Sequence, residues 1–167
     1  SISQSGLTNG SKLLACMLMI IGGSPAGTAG GIKTTTVAVL LLTAISVLRG
    51  NKDTECYGRK ITFEIIRVGI TITLVTFVFW LFGVTVMTVI EPQQKVLDLM
   101  FEATSAMATV GLTADLTPVL SDISHVVLML MMYIGRIGPM TMALIFSGHV
   151  DKKNQFRTLP EAKIMVG

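Results

Sequence analysis

The sequence has few charged residues and few cysteines. Only 14% of its 167 residues are Asp, Glu, Lys or Arg, against roughly 25% in soluble domains. The two cysteines, Cys16 and Cys56, belong to no CxxC or Cys/His cluster, so neither a disulfide framework nor a metal site is indicated. The basic residues form no stripe with interleaved aromatic residues, which argues against a nucleic-acid partner.

Apolar residues dominate the chain instead. They make up 51% of the sequence, and the mean hydropathy of +0.71 is that of a membrane protein. A transmembrane helix needs roughly 20 apolar residues. Residues 68–90, between Arg67 and Glu91, contain no charge, and we predict a spanning helix there and another at about 125–147. A further apolar stretch, residues 13–48, is too long for one crossing.

That long stretch is interrupted by a glycine-rich segment. A continuous helix over residues 13–48 would be roughly 50 Å long, against a hydrocarbon core of about 30 Å. Residues 22–31, GGSPAGTAGG, combine Pro25 with five glycines, and both residue types disfavour helix. In a membrane an unwound loop must line a water-filled path or be buried in protein. The glycines are Gly22, Gly23, Gly27, Gly30 and Gly31.

Two other interpretations of this segment were open. GTAGGIKT is similar to the phosphate-binding pattern GxxxxGK[ST], but Ile32 separates Gly31 from Lys33 and no strand pattern precedes the segment. A nucleotide site is therefore disfavoured. The second alternative is that the glycines only allow helices to approach each other closely.

A second irregular segment is predicted within FEATSAMATVGLT, residues 101–113. Residues 96–108 form an apolar helix too short to span a bilayer, and Thr109, Val110 and Gly111 follow it. This order suggests a re-entrant pore loop, in which backbone carbonyl oxygens replace the hydration shell of K⁺. Glycine allows the backbone to turn those oxygens inward, and the negative end of the helix dipole favours a cation nearby. The alternative is a surface turn after a short helix.

The last apolar stretch carries a single charge, Arg136. When Ser11 is aligned with Ser124, the two regions match weakly, and Gly23 and Arg136 fall at equivalent levels. An arginine at bilayer depth normally faces a cavity, carbonyl oxygens or a charged partner. Our hypothesis is that Arg136 binds carbonyl groups of residues 22–31 and forms a gate below the pore loop. The alternative is an arginine that only fixes helix packing.

The remaining charges indicate topology. The connector at residues 49–60 and the tail at residues 149–167 are rich in Lys and Arg, so the positive-inside rule predicts that both are cytoplasmic. Asp98 and Glu102 lie four residues apart and share one face of the short helix. They could carry negative charge to the outer mouth, or simply be solvated or paired locally.

Three motifs together resemble a known family. IGGSPAGTAGGIKTTT, FEATSAMATVGLT and YIGRIGP are similar to the C-terminal part of the membrane subunit of Trk/Ktr/HKT-type potassium transporters, with the Ktr type most alike. The resemblance implies four helix, pore-loop, helix repeats around one pore. It assigns the filter glycine to Gly111, the intramembrane gating loop to residues 22–31, and the arginine facing that loop to Arg136.

The resemblance also implies how the chain is divided and what it binds. Residues 1–60 would hold the second helix of the third repeat with its gating loop and connector, residues 61–150 the fourth repeat, and residues 151–167 a cytoplasmic tail. Expected partners are membrane lipid, the remaining repeats of the transporter, a second membrane subunit in a homodimer, and a cytosolic nucleotide-binding regulatory ring.

We therefore expect an all-α membrane protein of the cell membrane that takes part in K⁺ uptake, with or without Na⁺ coupling. Ions would bind through filter backbone carbonyls, without a cofactor and without enzymatic chemistry. Two alternatives stay open. One is a non-conducting membrane scaffold or assembly subunit, and the other is an unrelated cation channel whose Thr-Val-Gly matches by convergence.

Overall fold

The computed structural model describes residues 6–24, 30–50, 53–56 and 59–137. Helices account for most of these residues, with a short hairpin in one connector. The helices are α1 (Asn9–Ile20), α2 (Thr34–Leu48), α3 (Phe63–Ile90), α4 (Val96–Ala108) and α5 (Asp122–Ile137), and a 3-10 turn covers Thr117–Val119. The hairpin strands are β1 (Glu55–Cys56) and β2 (Arg59–Lys60).

Helix α3 is long and apolar enough to cross a membrane; within the described residues no other helix passes that test. It begins at Phe63 rather than at residue 68, because the charged Glu64 and Arg67 are tolerated in its first turns. Its threonine hydroxyls each donate to the carbonyl four residues earlier, so they place no unsatisfied polar group in the apolar span. These residues are Thr71, Thr73, Thr76, Thr85 and Thr88.

The apolar stretch at residues 13–48 forms two helices. Helix α1 ends at Ile20 and α2 begins at Thr34. The two ends of the interruption bond to each other, because the Gly22 amide donates to the Ile32 carbonyl at 2.7 Å and the Ile32 amide donates to the Ile20 carbonyl at 3.2 Å. The two segments that flank the interruption therefore lie side by side.

The connector contains the hairpin. Strands β1 and β2 pair antiparallel, with Glu55 opposite Lys60, a detail that the sequence did not predict and that leaves the fold predominantly helical. The hairpin is extended by a bond from the Ile61 amide to the Thr54 carbonyl at 2.9 Å. A short polar connector can satisfy its backbone groups this way without a core.

Helix α4 is the centre of the packing. It contacts α1, α3 and α5, and every residue at 101–108 is buried. Alanine at positions 103, 106 and 108 lets the neighbouring helices approach closely. Trp80 of α3 donates its indole N–H to the Thr104 hydroxyl at 2.9 Å, which fixes α3 against α4. Trp80 is therefore a packing residue.

The last helix begins earlier than residue 125. Helix α5 begins at Asp122, directly after Ser121, whose hydroxyl is within bonding distance of the Ser124 hydroxyl (3.1 Å) and amide (3.5 Å). This is an N-terminal serine cap, which satisfies a free amide of the first turn. The expected continuation of this helix to about residue 147 lies outside the described residues.

Candidate functional site

The chain reverses direction directly after α4. Thr109 is left-handed, with φ 54° and ψ 38°, and Gly111 also has a positive φ of 82°. The Thr109 amide donates to the Ala106 carbonyl at 3.1 Å and the Val110 amide to the Ser105 carbonyl at 3.0 Å. A β-branched residue rarely adopts this conformation, so the surroundings must hold Thr109 in place.

One contact that holds Thr109 comes from the end of the glycine-rich segment. The Gly30 amide donates to the Thr109 hydroxyl at 2.9 Å. A side chain at position 30 would not fit, because an added Cβ would lie 2.7 Å from the Thr109 hydroxyl and 3.0 Å from the Gly135 carbonyl. Gly30, Thr109 and Gly135 therefore bring three separate parts of the chain together.

Gly135 is the point where α5 reaches the end of α4. A Cβ added to Gly135 would lie 1.9 Å from the Met107 carbonyl oxygen, far inside any allowed contact. Glycine at this position thus lets two backbones touch. The sequence did not indicate this contact.

The other glycines of the segment also mark close approaches. A Cβ on Gly22 would lie 2.2 Å from the Gly30 carbonyl oxygen, and Gly31, with φ +76°, lies 3.6 Å from Ala108 by the same measure. Gly23 lines the groove described below. Gly27 lies outside the described residues.

Beyond Gly111 the chain runs back along α4 towards Glu102. The Glu102 side chain is only 4% exposed and accepts a hydrogen bond from the Thr113 hydroxyl, one from the Ala114 amide at 3.0 Å, and one from the Thr117 hydroxyl at 3.0 Å. Glu102 is therefore paired locally, which is one of the alternatives given for it above. The sequence contained one signal for it: a lone acid in a run of small and apolar residues needs partners when buried.

Asp98 is also paired locally. Its carboxylate accepts from the Lys12 ammonium at 2.6 Å, with the two side chains 21% and 8% exposed, respectively. The suggestion that Asp98 and Glu102 present negative charge to the outer mouth is therefore not supported. The sequence did not indicate Lys12, because it lies in a different helix.

A groove of about 560 Å³ runs between the end of α1 and the segment after α4. Its lining includes Met19, Gly22, Gly23, Thr109 and Val110. The segment after α4 has no regular secondary structure where it borders the groove, and Val110, Gly111 and Leu112 are exposed. Within the described part of the chain, the carbonyl oxygens of residues 109–111 accept no backbone hydrogen bond.

Arg136 follows Gly135 in α5 and its side chain is exposed. It thus lies next to the point where α5 meets Gly30. The carbonyl groups that we expected it to bind include those of residues 25–29, which lie outside the described residues.

The whole chain was compared with known proteins. Residues 1–157 match the family model TrkH, described as a cation transport protein. The chain belongs to the TrkH family. This confirms the resemblance carried by the three motifs, and the family is one of membrane transport proteins rather than enzymes.

Curated relatives agree with this assignment. The TrkH-family chain is 34% identical over its full length to the Ktr system potassium uptake protein B of Bacillus subtilis, and covers 37% of that protein. It is 34% identical to the potassium/sodium uptake protein NtpJ of Enterococcus hirae and covers 38% of it. It is 32% identical to the Ktr system potassium uptake protein D of Bacillus subtilis, covering 36%. The chain therefore spans little more than a third of the length of these relatives.

Proposed function

We propose that this chain forms one part of the pore of a K⁺ uptake protein, in which Thr109, Val110 and Gly111 supply one filter strand. The observation that carries the proposal is the backbone of this strand: it is irregular, borders an open groove, and has carbonyl oxygens that accept no backbone hydrogen bond from the residues that the structure describes. Such oxygens can replace the hydration shell of a monovalent cation.

The orientation of α4 supports the same role. Its C-terminal end lies at Ala108 next to the strand, and the C-terminal end of a helix carries a partial negative charge. A cation in the groove is stabilised by that charge. The C-terminal half of the helix, residues 101–108, is buried, so its direction is fixed by packing against α1, α3 and α5.

The segment at residues 22–31 is the proposed gate, with Arg136 facing it. Support comes from Gly30, which bonds to Thr109 and lies against Gly135, the neighbour of Arg136. A guanidinium group close below the filter opposes cation passage, and movement of the glycine-rich segment relieves the block. In the complete protein, Arg136→Gln should change the rate of K⁺ flux, whereas unchanged flux in this variant and in one with a shortened loop would remove the gate.

We propose the architecture of the complete protein from the resemblance to the family. Residues 1–60 belong to a third pore repeat, residues 61–150 form a fourth, and residues 151–167 form a cytoplasmic tail. The remaining repeats supply the other filter strands, and membrane subunits form a homodimer on a cytosolic nucleotide-binding ring. The connector at residues 49–60 and the C-terminus face the cytoplasm. Transport of K⁺ proceeds with or without Na⁺, the second ion in the name of one relative.

A non-conducting scaffold is the competing function, because the contacts at Gly22, Gly30 and Gly135 are packing contacts. Gly111 is the residue that distinguishes the pore function from the scaffold function. A Cβ added to Gly111 meets nothing within 4 Å, so packing gives no reason for glycine there. Its positive φ does, because glycine adopts that conformation without a Cβ clash and can turn carbonyl oxygens towards the groove.

Gly111→Ser in the complete protein tests the proposal, with Gly50→Ser as a matched control. Gly50 has a similar φ of +71° and equally open surroundings, but lies in the connector. We expect Gly111→Ser to abolish growth at limiting K⁺ or to reduce discrimination against Na⁺ in ⁸⁶Rb⁺ and ²²Na⁺ uptake, while Gly50→Ser does neither. Equal behaviour of the two variants at equal membrane abundance would favour the scaffold.

A further inference from the structure

Glu102 is a buried acid that the proposed pathway does not use directly. It lies in the middle of α4, within the fully buried residues 101–108. Burying a carboxylate is strongly unfavourable unless hydrogen bonds replace its water shell. Its two oxygens accept three hydrogen bonds, and all three donors lie in the short stretch from Thr113 to Thr117.

Those donors follow the filter strand directly. At the inner end of the strand, the Thr109 and Val110 amides bond to carbonyl groups of the last turn of α4. At the outer end, the Thr113 hydroxyl and the Ala114 amide bond to Glu102. Residues 110–112 lie between these anchors and are exposed. The strand is therefore held at its ends and open along its middle.

We propose that Glu102 is a positioning residue for ion selectivity, which fixes the outer end of the filter strand so that its carbonyl oxygens keep the spacing suited to K⁺. This inference rests on the proposed function. A filter discriminates against the smaller Na⁺ through the arrangement of its carbonyl oxygens, which sets how many of them coordinate the ion and how strong their combined field is. A strand released at its outer end can contract around Na⁺.

An electrostatic role at the outer mouth does not fit the geometry. The carboxylate oxygens face three donors inside the protein and not the groove, and the side chain is 4% exposed. Hydrogen bonds to a charged acceptor are also stronger than neutral ones. The residue is therefore placed to hold backbone and not to attract ions from solution.

The test uses the complete transporter in membrane vesicles, with uptake of ⁸⁶Rb⁺ and ²²Na⁺ measured side by side. Glu102→Gln retains the shape but removes the negative charge of the acceptor, and Thr113→Val removes one donor while leaving the acid in place. We expect each to lower the ratio of Rb⁺ to Na⁺ uptake by about tenfold, the effect of losing one charge-assisted hydrogen bond. Thr113→Ser, which keeps the hydroxyl, should retain the original ratio.

Two matched controls separate positioning from charge and from hydroxyl loss. Glu64→Gln makes the same change in net charge at an exposed position in the first turn of α3. Thr85→Val removes a hydroxyl that bonds only to its own helix. Neither should alter the uptake ratio. If Glu102→Gln does not reach the membrane, Thr113→Val alone decides the matter.

The results distinguish this inference from the proposed function. If Gly111→Ser changes the uptake ratio but Thr113→Val and any expressed Glu102→Gln leave it unchanged, the positioning role is overturned and the filter stands. An uptake ratio lowered equally by Thr113→Ser or by the controls also overturns it. If the complete protein takes up neither ion, or Gly111→Ser has no effect, the proposed function itself fails.

Discussion

The hydrogen bond between the Gly30 amide and the Thr109 hydroxyl gives the most detailed prediction. It links the glycine-rich segment to the proposed filter strand at 2.9 Å, and Gly30 is buried. Thr109→Val keeps the β-branched shape and removes only the acceptor. The Gly30 amide then loses the acceptor that Thr109 gives it.

The size of the effect follows from this burial. An unsatisfied buried donor costs about 1–3 kcal/mol, which corresponds to a shift of about fivefold to a hundredfold or more in the equilibrium between the bonded and released states. We therefore expect hydrogen exchange at the Gly30 amide in the complete protein to accelerate by such a factor. Because the proposed gate includes this segment, the rate of K⁺ flux should change as well.

Hydrogen exchange followed by mass spectrometry measures the first effect, and Thr109→Ser is the matched control because it retains the hydroxyl. Unchanged exchange at Gly30 in Thr109→Val would refute the reasoning. So would an equal acceleration in Thr109→Ser, because the cause would then be the altered strand and not the lost acceptor.

Three further predictions concern the packing around α4 and the outer loop. Gly135→Ala should reduce the yield of folded protein and lower the melting temperature, since its Cβ would overlap a carbonyl at the end of α4; an unchanged melting temperature would contradict the close contact. Lys12→Met should destabilise by about 3 kcal/mol or more, because it leaves Asp98 partly buried and unpaired, and adding Asp98→Asn should recover part of the loss. A double variant no more stable than the single one would argue against this pair. Hydrogen bonds from Ser121 and Ser124 hold the pKa of Glu91 below its ordinary 4.5, so these bonds are present above that value and are lost as pH falls through the lowered pKa. Amide exchange at Ser121 should rise only in that acidic range, and a rise near neutral pH would exclude Glu91 as the cause.

The helix bounds near the proposed filter could be predicted from the sequence. Helix α4 covers Val96–Ala108, the same residues that the short apolar run indicated. Polar EPQQK precedes the run and Thr-Val-Gly follows it, so both ends are marked by local residue types. The interruption at residues 22–31 is equally local, since glycine and proline disfavour helix wherever the chain goes.

The contacts between segments could not be predicted in this way. The three donors to Glu102 lie after a chain reversal, and the reversal depends on Thr109 adopting a left-handed conformation that is unusual for threonine. The contact of Gly135 with the Met107 carbonyl depends on how α5 crosses α4. Such contacts are set by packing in three dimensions, and single-residue preferences carry no information on them.

Two smaller differences between the predicted and the observed secondary structure have local causes. Helix α5 begins at Asp122 because Ser121 caps it, and the connector forms a hairpin of only two residues per strand, too short to leave an alternating pattern in the sequence. Neither difference concerns the residues around Thr109.

The central claim is that carbonyl oxygens of residues 109–111 coordinate a monovalent cation. The most direct measurement is anomalous diffraction from crystals of the complete protein soaked in Rb⁺ or Tl⁺. We predict an anomalous peak in the groove, in contact with these oxygens and reduced in Gly111→Ser. A filter strand whose carbonyl groups bond to protein, with the ion found elsewhere, would contradict the account.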